Sequence, residues 1–148
     1  MMTREQATEA VLEAKRQKGR TFVQIAQVVG RSKEWTTSAL LGQATMSEQE
    51  AESVADLLDL APEVTTSLQE IPLKGSLDQP VPVDPLIYRF HEITQVYGTT
   101  LKALIHEMFG DGIMSAIDFE LDIQRKEDPK GDRVIVTMNG KFLPYRKW

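Results

Sequence analysis

The hydrophobic pattern of this chain changes its period once, and no other feature of the sequence restricts the fold as much. Up to Met108 the apolar residues recur every three or four positions, the spacing of one helix face. From Ile117 they alternate instead. Ile117, Phe119, Leu121 and Ile123 are interleaved with Asp118, Glu120 and Asp122, the pattern of a half-buried strand. A helical part followed by a sheet makes an α+β protein.

Helix boundaries follow from capping chemistry. Thr3 with Gln6, Thr21 with Gln24 and Ser47 with Glu50 each set a hydroxyl three positions before a side chain that can reach back, the capping-box signature. Helical apolar sets follow: Ala7, Ala10, Val11 and Ala14; then Phe22, Ile25, Ala26 and Val29; then Val54, Leu57 and Leu58. Gly30 stops the second helix, because glycine takes the left-handed conformation that ends helices. Ser32 starts a third helix, with Trp35, Leu40 and Leu41, and Pro62 starts a short fifth, with Val64 and Leu68. The spacing therefore predicts five short helices in a bundle over residues 1–70. Ile71 to Val83, with Pro72, Gly75, Pro80 and Pro82, reads as an extended linker.

Residues 71–148 make a second domain. Asp84-Pro85 is a clean helix start, since Asp is a good N-cap and Pro fits the first helical position. Leu86, Phe90, Ile93 and Tyr97 form one apolar stripe, which Gly98 is expected to break. Thr99 or Thr100 would then cap a second helix with Leu101, Leu104, Ile105 and Met108. Gly110-Asp111-Gly112 reads as a turn, and Asp128 to Asp132 as a loop between strands. Val134 and Val136 mark the next strand, and Asn139-Gly140 predicts a tight turn into a last strand at Lys141 to Leu143. The expected unit is two helices and a small antiparallel sheet. A domain this small, with no staples, buries little core, and its strand edges need covering. An intertwined dimer, with sheets shared between chains, is expected.

Composition narrows the chemistry. Cysteine is absent and His91 and His106 are the only histidines. Disulfides, thiolate metal sites and cysteine nucleophiles are excluded, and neither H-E-x-x-H nor G-x-S-x-G occurs. No apolar run approaches the roughly 20 residues that span a bilayer. The polar start MMTREQATEA lacks a secretory h-region, so a soluble cytoplasmic protein is expected. The net charge of −5 is shared by both halves.

That charge bears on the segment TFVQIAQVVGRSKEWTTSALLGQ, which has the outline of a helix-turn-helix, with Ala26 at the crossing and Gly30 at the turn. DNA binding needs a basic surface, and the would-be recognition helix from Lys33 to Leu41 carries one Lys, one Glu and no Asn, Gln or Arg to read bases. A DNA-binding regulator with a C-terminal dimerisation domain is the competing reading. Oligomer packing is the favoured role for the helical domain, with no nucleic-acid partner.

The residues with chemical potential lie between Asp84 and Leu121. Arg89 and Glu92 are three apart on a helix and share a face. Ser115 is a small polar residue in the apolar run GIMSAI, so it should be buried and its hydroxyl hydrogen-bonded. Spacing alone reads these as an intrahelical ion pair and a satisfied serine. In their wider context they say more. Tyr88-Arg89-Phe90-His91-Glu92, Gln95 to Leu104, His106 to Phe119 and Asn139 to Pro144 together resemble the signature of the cyanase family, in one order and without gaps. Ala39 to Gln43 in the helical half is also similar to that family.

The resemblance implies a repressor-like N-terminal domain and a catalytic C-terminal one. It implies an active site of Arg89, Glu92 and Ser115. It implies decamers, as pentamers of dimers, with sites at subunit interfaces. His91 stands where an aromatic such as Tyr is common in the family, and neither His91 nor His106 is expected to be catalytic. The implied reaction joins cyanate to bicarbonate, a co-substrate, giving carbon dioxide and carbamate, which then releases ammonia. No metal or organic cofactor is implied. Cyanate has three heavy atoms, so it gains at most about 4.5 kcal/mol on binding, a dissociation constant of order 0.5 mM. A site for two such anions must concentrate positive charge and oriented donors, which favours Arg89 as clamp and Ser115 as anion binder rather than nucleophile. Glu92 is expected to orient Arg89 or to handle a proton.

Overall fold

The predicted caps form. In the computed structural model, which describes residues 2–75 and 77–148, Thr3 Oγ1 accepts from Gln6 N at 3.2 Å and Gln6 Oε1 accepts from Thr3 N at 2.9 Å. The same reciprocal pair closes at Thr21 with Gln24 and at Ser47 with Glu50. These caps open α1 (Arg4–Gln17), α2 (Phe22–Val29) and α4 (Glu48–Leu58). Ser32 Oγ caps α3 (Lys33–Leu40) by accepting from Trp35 N at 3.1 Å, and Pro62 begins α5 (Pro62–Gln69). Gly30 ends α2 at φ 77°, in the left-handed region. These helices make the first of two units, Met1–Ser76.

The buried hydrophobic core runs from Ala7 to Leu68, through Ile25, Leu40, Val54 and Leu58, and lies wholly in this unit. Each Val, Leu or Ile of that core contributes about 1.5–3 kcal/mol by leaving water. Arg4 ties the helices from outside that core. Its Nη2 donates to Ala39 O at 2.9 Å and to Ala44 O at 2.7 Å, and its Nη1 donates to Ser67 O. Ala39 O and Ser67 O each already accept a turn bond, from Gly42 N and Glu70 N, and a carbonyl has a second lone pair to give, so one guanidinium fork ties three segments at once. Burial lowers the Arg4 pKa and Glu70 pulls the other way.

The second unit, Leu77–Trp148, departs from expectation in two places. A single 25-residue helix, α6 (Pro85–Phe109), replaces the expected two helices. Asp84 Oδ1 caps it by accepting from Leu86 N and Ile87 N, both at 2.9 Å. Gly98 does not interrupt it, and Thr99 and Thr100 are interior residues rather than caps. A mid-helix glycine costs only about 0.5–1 kcal/mol, too little to offset the ladder on either side. The second departure is at Asn139-Gly140, which is no turn. It lies within β2 (Arg133–Pro144), which pairs antiparallel with β1 (Gly112–Lys126) from Gly112 opposite Pro144 to Lys126 opposite Arg133.

The reversal is where the loop Asp128 to Asp132 was expected. There Lys130 N donates to Asp128 Oδ1 at 2.8 Å, and Arg125 Nε donates to Asp132 Oδ2 at 2.7 Å. At the other end of the sheet α6 is anchored: Phe109 stacks on Phe142 with centroids 4.8 Å apart, and His106 Nε2 lies 3.2 Å from Gly112 O.

No residue of α6 is buried. Beyond Leu68 only Pro82, Gly112 and Ser115 are buried among the described residues. Leu86, Phe90, Ile93, Tyr97, Leu101, Leu104 and Met108 are all exposed. An apolar surface of this extent marks an association face.

Two stability predictions follow from these elements. Burial pushes the Glu50 carboxyl up, but the Ser47 N–H and the Arg31 guanidinium outweigh it and hold the pKa below the ordinary value. Its contribution is therefore present above about pH 4 and lost as pH falls through the depressed value. Glu50→Ala should cost about 1–3 kcal/mol at neutral pH and flatten the acid limb of a Trp35 fluorescence unfolding curve. An unchanged acid limb would remove Glu50 from the account. Gly98→Ala should stabilise α6 by about 0.5–1 kcal/mol, since an added Cβ meets only Thr94 Cγ2 at 3.9 Å. A lowered melting temperature would show that another chain packs against that spot.

Candidate active site

Arg89 and Glu92 are set by α6. The helix spacing puts them one turn apart, and Arg89 Nη1 donates to Glu92 Oε2 at 2.8 Å. Arg89 Nε also donates to Pro85 O at 3.2 Å, and the guanidinium lies 5.2 Å from the Tyr88 ring centroid. The fork is thus steered from three sides, yet its side chain is 57% exposed. Among the described residues its other donors meet no protein acceptor. His91 faces the same ring, 5.7 Å from Tyr88.

Ser115 belongs to a different element and a different environment. It is 5% exposed, and its Oγ accepts from Ile117 N at 3.0 Å and from Asp118 N at 2.9 Å. Those bonds sit in a bulge of β1. Met114 pairs with Phe142 and Phe119 with Gly140, so residues 115–118 face Lys141 alone. A bulge re-aims side chains by leaving residues unpaired. Here it turns the hydroxyl inward and sends Ile117 outward, 97% exposed. With both N–H bonds accepted, what the hydroxyl has left to offer is its hydrogen. That hydrogen is free to be donated to a further acceptor.

The structure brings Arg89 and Glu92 together and does not bring Ser115 to them. Between Arg89 and Phe109 the helix advances about 30 Å at roughly 1.5 Å per residue, and the strands around Ser115 meet the helix at that far end, where Phe109 stacks on Phe142. The hollow nearest the bulge is lined by Ile105, Phe109, Met114, Gly140 and Phe142, and it presents no charge to an anion. Of the parts that frame Ser115, sequence reasoning anticipated one and missed the other. His106, expected as a packing or hydrogen-bonding residue, holds the start of β1 through Gly112 O. Gly140 lies across from the bulge. The available signal was a glycine inside a strand pattern, which marks a bulge or a close backbone approach.

The other expected features are also placed. α3 follows α2 as a helix-turn-helix would, but none of its residues is exposed. Lys33 pairs with Glu34 and Arg31 with Glu50, so a carboxylate stands beside each of these two cations. Among the described residues no group of three or more His, Asp or Glu side chains could hold a metal ion. No described helix is long and apolar enough to cross a membrane.

Comparison with known proteins bears on both units. Residues 4–72 match the model "Cyanate hydratase, N-terminal" and residues 79–147 match "Cyanate lyase C-terminal domain". Cyanate hydratase of Dechloromonas aromatica is 58% identical over 147 residues, 99% of this chain and 100% of that protein. The Thiobacillus denitrificans cyanate hydratase is also 58% identical over 147 residues, with the same coverage. The crystal structure of cyanase from T. urticae superposes with a TM-score of 0.83 at 46% identity, over 93% of this chain and 96% of that one. Two consecutive domain matches and relatives similar from end to end make this chain a member of the cyanate lyase family.

Proposed function

We propose that the protein is a lyase that decomposes cyanate with bicarbonate as co-substrate, at sites assembled between chains from Arg89, Glu92 and Ser115. The observation that carries this reading is the Arg89–Glu92 pair, exposed on an apolar helix face and far from the serine of its own chain. A charged pair set in a surface that must be covered is a site awaiting a second chain. The names of the relatives, cyanate hydratase and cyanase, supply the substrate.

The chemistry follows from charge. A bicarbonate oxygen adds to the electrophilic carbon of cyanate, a C–O bond forms and the cyanate nitrogen takes a proton. Loss of carbon dioxide breaks the bicarbonate C–O bond, passes the bicarbonate hydroxyl proton to the nitrogen and leaves carbamate. Carbamate takes a further proton and separates into ammonia and a second carbon dioxide. Joining two monoanions builds a dianion, so the protein must supply positive charge and donors where that charge appears. Copies of Arg89 from neighbouring chains supply the charge and hold the two reactants in line. Ser115 donates its hydroxyl hydrogen. Glu92 keeps the Arg89 fork aimed, as its 2.8 Å bond to Nη1 allows. No metal or organic cofactor enters these steps. The exposed face of α6 and the open edges of the two-stranded sheet support an intertwined dimer, and beyond it a decamer of five dimers.

Arg89→Ala should lower ammonia release from cyanate by about 100- to 1,000-fold, with the oligomer mass intact. Arg89→Lys should not restore it, because a lysine lacks the planar fork. Substantial turnover in either variant would take Arg89 out of the mechanism. Turnover by the unaltered enzyme should vanish when bicarbonate is stripped from the buffer and return on its addition. Full activity in bicarbonate-free buffer would mean that water is the nucleophile. Light scattering that gave the mass of a single chain at working concentration would refute the shared site.

A further inference from the structure

We infer that Gly140 is a positioning residue for Ser115: the missing side chain at Gly140 is what lets the bulge close with the serine hydroxyl beneath its own loop. The inference rests on the anion-binding role proposed for Ser115. A Cβ at Gly140 would lie 2.5 Å from Ser115 O, 2.5 Å from Met114 Cγ and 3.2 Å from Met114 Sδ. Real Cβ contacts do not fall below 3.0 Å, so something would have to move. Met114 is a flexible side chain and can swing away. The Ser115 carbonyl is backbone, and it can retreat only by carrying Ser115 with it.

The register makes the same point from the other strand. Gly140 is the partner of Phe119, the residue at which pairing resumes after the bulge. The segment 115–118 folds over Lys141 and comes down against Gly140. A glycine here weakens the strand locally and gives back a close approach. The approach fixes where the Ser115 carbonyl rests, and the two N–H bonds from Ile117 and Asp118 fix where the hydroxyl points. The bulge is thus held from inside by Oγ and from across by an absent side chain.

The test uses the full-length assembled enzyme and the variants Gly140→Ala, Met114→Ala and the pair of them together. Gly140→Ala should lower kcat/KM for cyanate by about 100-fold, as expected for a reacting group misplaced by about 1 Å. Its oligomer mass should not change. Hydrogen exchange of a peptide spanning 115–119 should speed up, while peptides from 120–126 keep their protection. Adding Met114→Ala should not restore the rate, because the backbone clash remains. Kinetics indistinguishable from the unaltered chain would overturn the proposal, and so would full rescue by Met114→Ala. If Gly140→Ala fails to assemble, Ser115→Ala tests the element that Gly140 is proposed to position: the 115–119 peptide must lose protection, and retained protection would overturn the proposal, since the bulge would then not be set by the serine at all. No ammonia from the unaltered enzyme with bicarbonate present would instead defeat the cyanate reading, and the exchange data alone would then decide the role of Gly140.

Discussion

The structure depends on a surface it cannot bury by itself. The helix α6 spans 25 residues without a buried one, and its apolar stripe from Leu86 to Met108 faces outward. The first unit has the opposite character. Its short helices close around Ile25, Leu40, Leu58 and Leu68, and Arg4 ties off carbonyls from three segments. One half of the chain completes its own core and the other half leaves its core to be completed. Placing the proposed reactive pair on the incomplete half would couple chemistry to association, because covering α6 would also remove water from around Arg89 and strengthen its field.

The two sides of the proposed site are built on different principles. Arg89 is a side chain on a rigid helix, aimed by a carboxylate, a carbonyl and an aromatic ring. Ser115 is aimed by backbone, in a bulge whose own N–H groups grip the hydroxyl. A long charged side chain needs neighbours to limit its rotamers, whereas a short hydroxyl can be fixed only by fixing the main chain that carries it.

Much of this was legible in the sequence, and the exceptions are instructive. Thr3, Thr21, Ser32, Ser47 and Asp84 cap where their spacing says, because capping is a local matter of one side chain and nearby N–H groups. The change to alternation at Ile117 marked β1, although the strand begins earlier, at Gly112. The glycines misled in both directions. Gly98 is carried through a helix whose length outweighs one poor residue. Asn139-Gly140 has the composition of a tight turn, yet it sits in a strand because the bulge opposite needs room there. A turn signal is local, and the reason for Gly140 lies more than twenty positions away in β1. The residues of the site were readable as an ion pair and a satisfied serine. Their separation along α6 was not, because it depended on Gly98 failing to break the helix.

The position of the core also has a consequence in time. Chains are made from the N-terminus, and domains tend to fold as they emerge. Everything the first unit needs, from Thr3 to Leu68, exists before Pro85 is added. A folded, charged unit is then already attached to the apolar helix when that helix appears. The part of the molecule most prone to wrong encounters is therefore made after the part that buries its own core, and it emerges tethered to a finished neighbour.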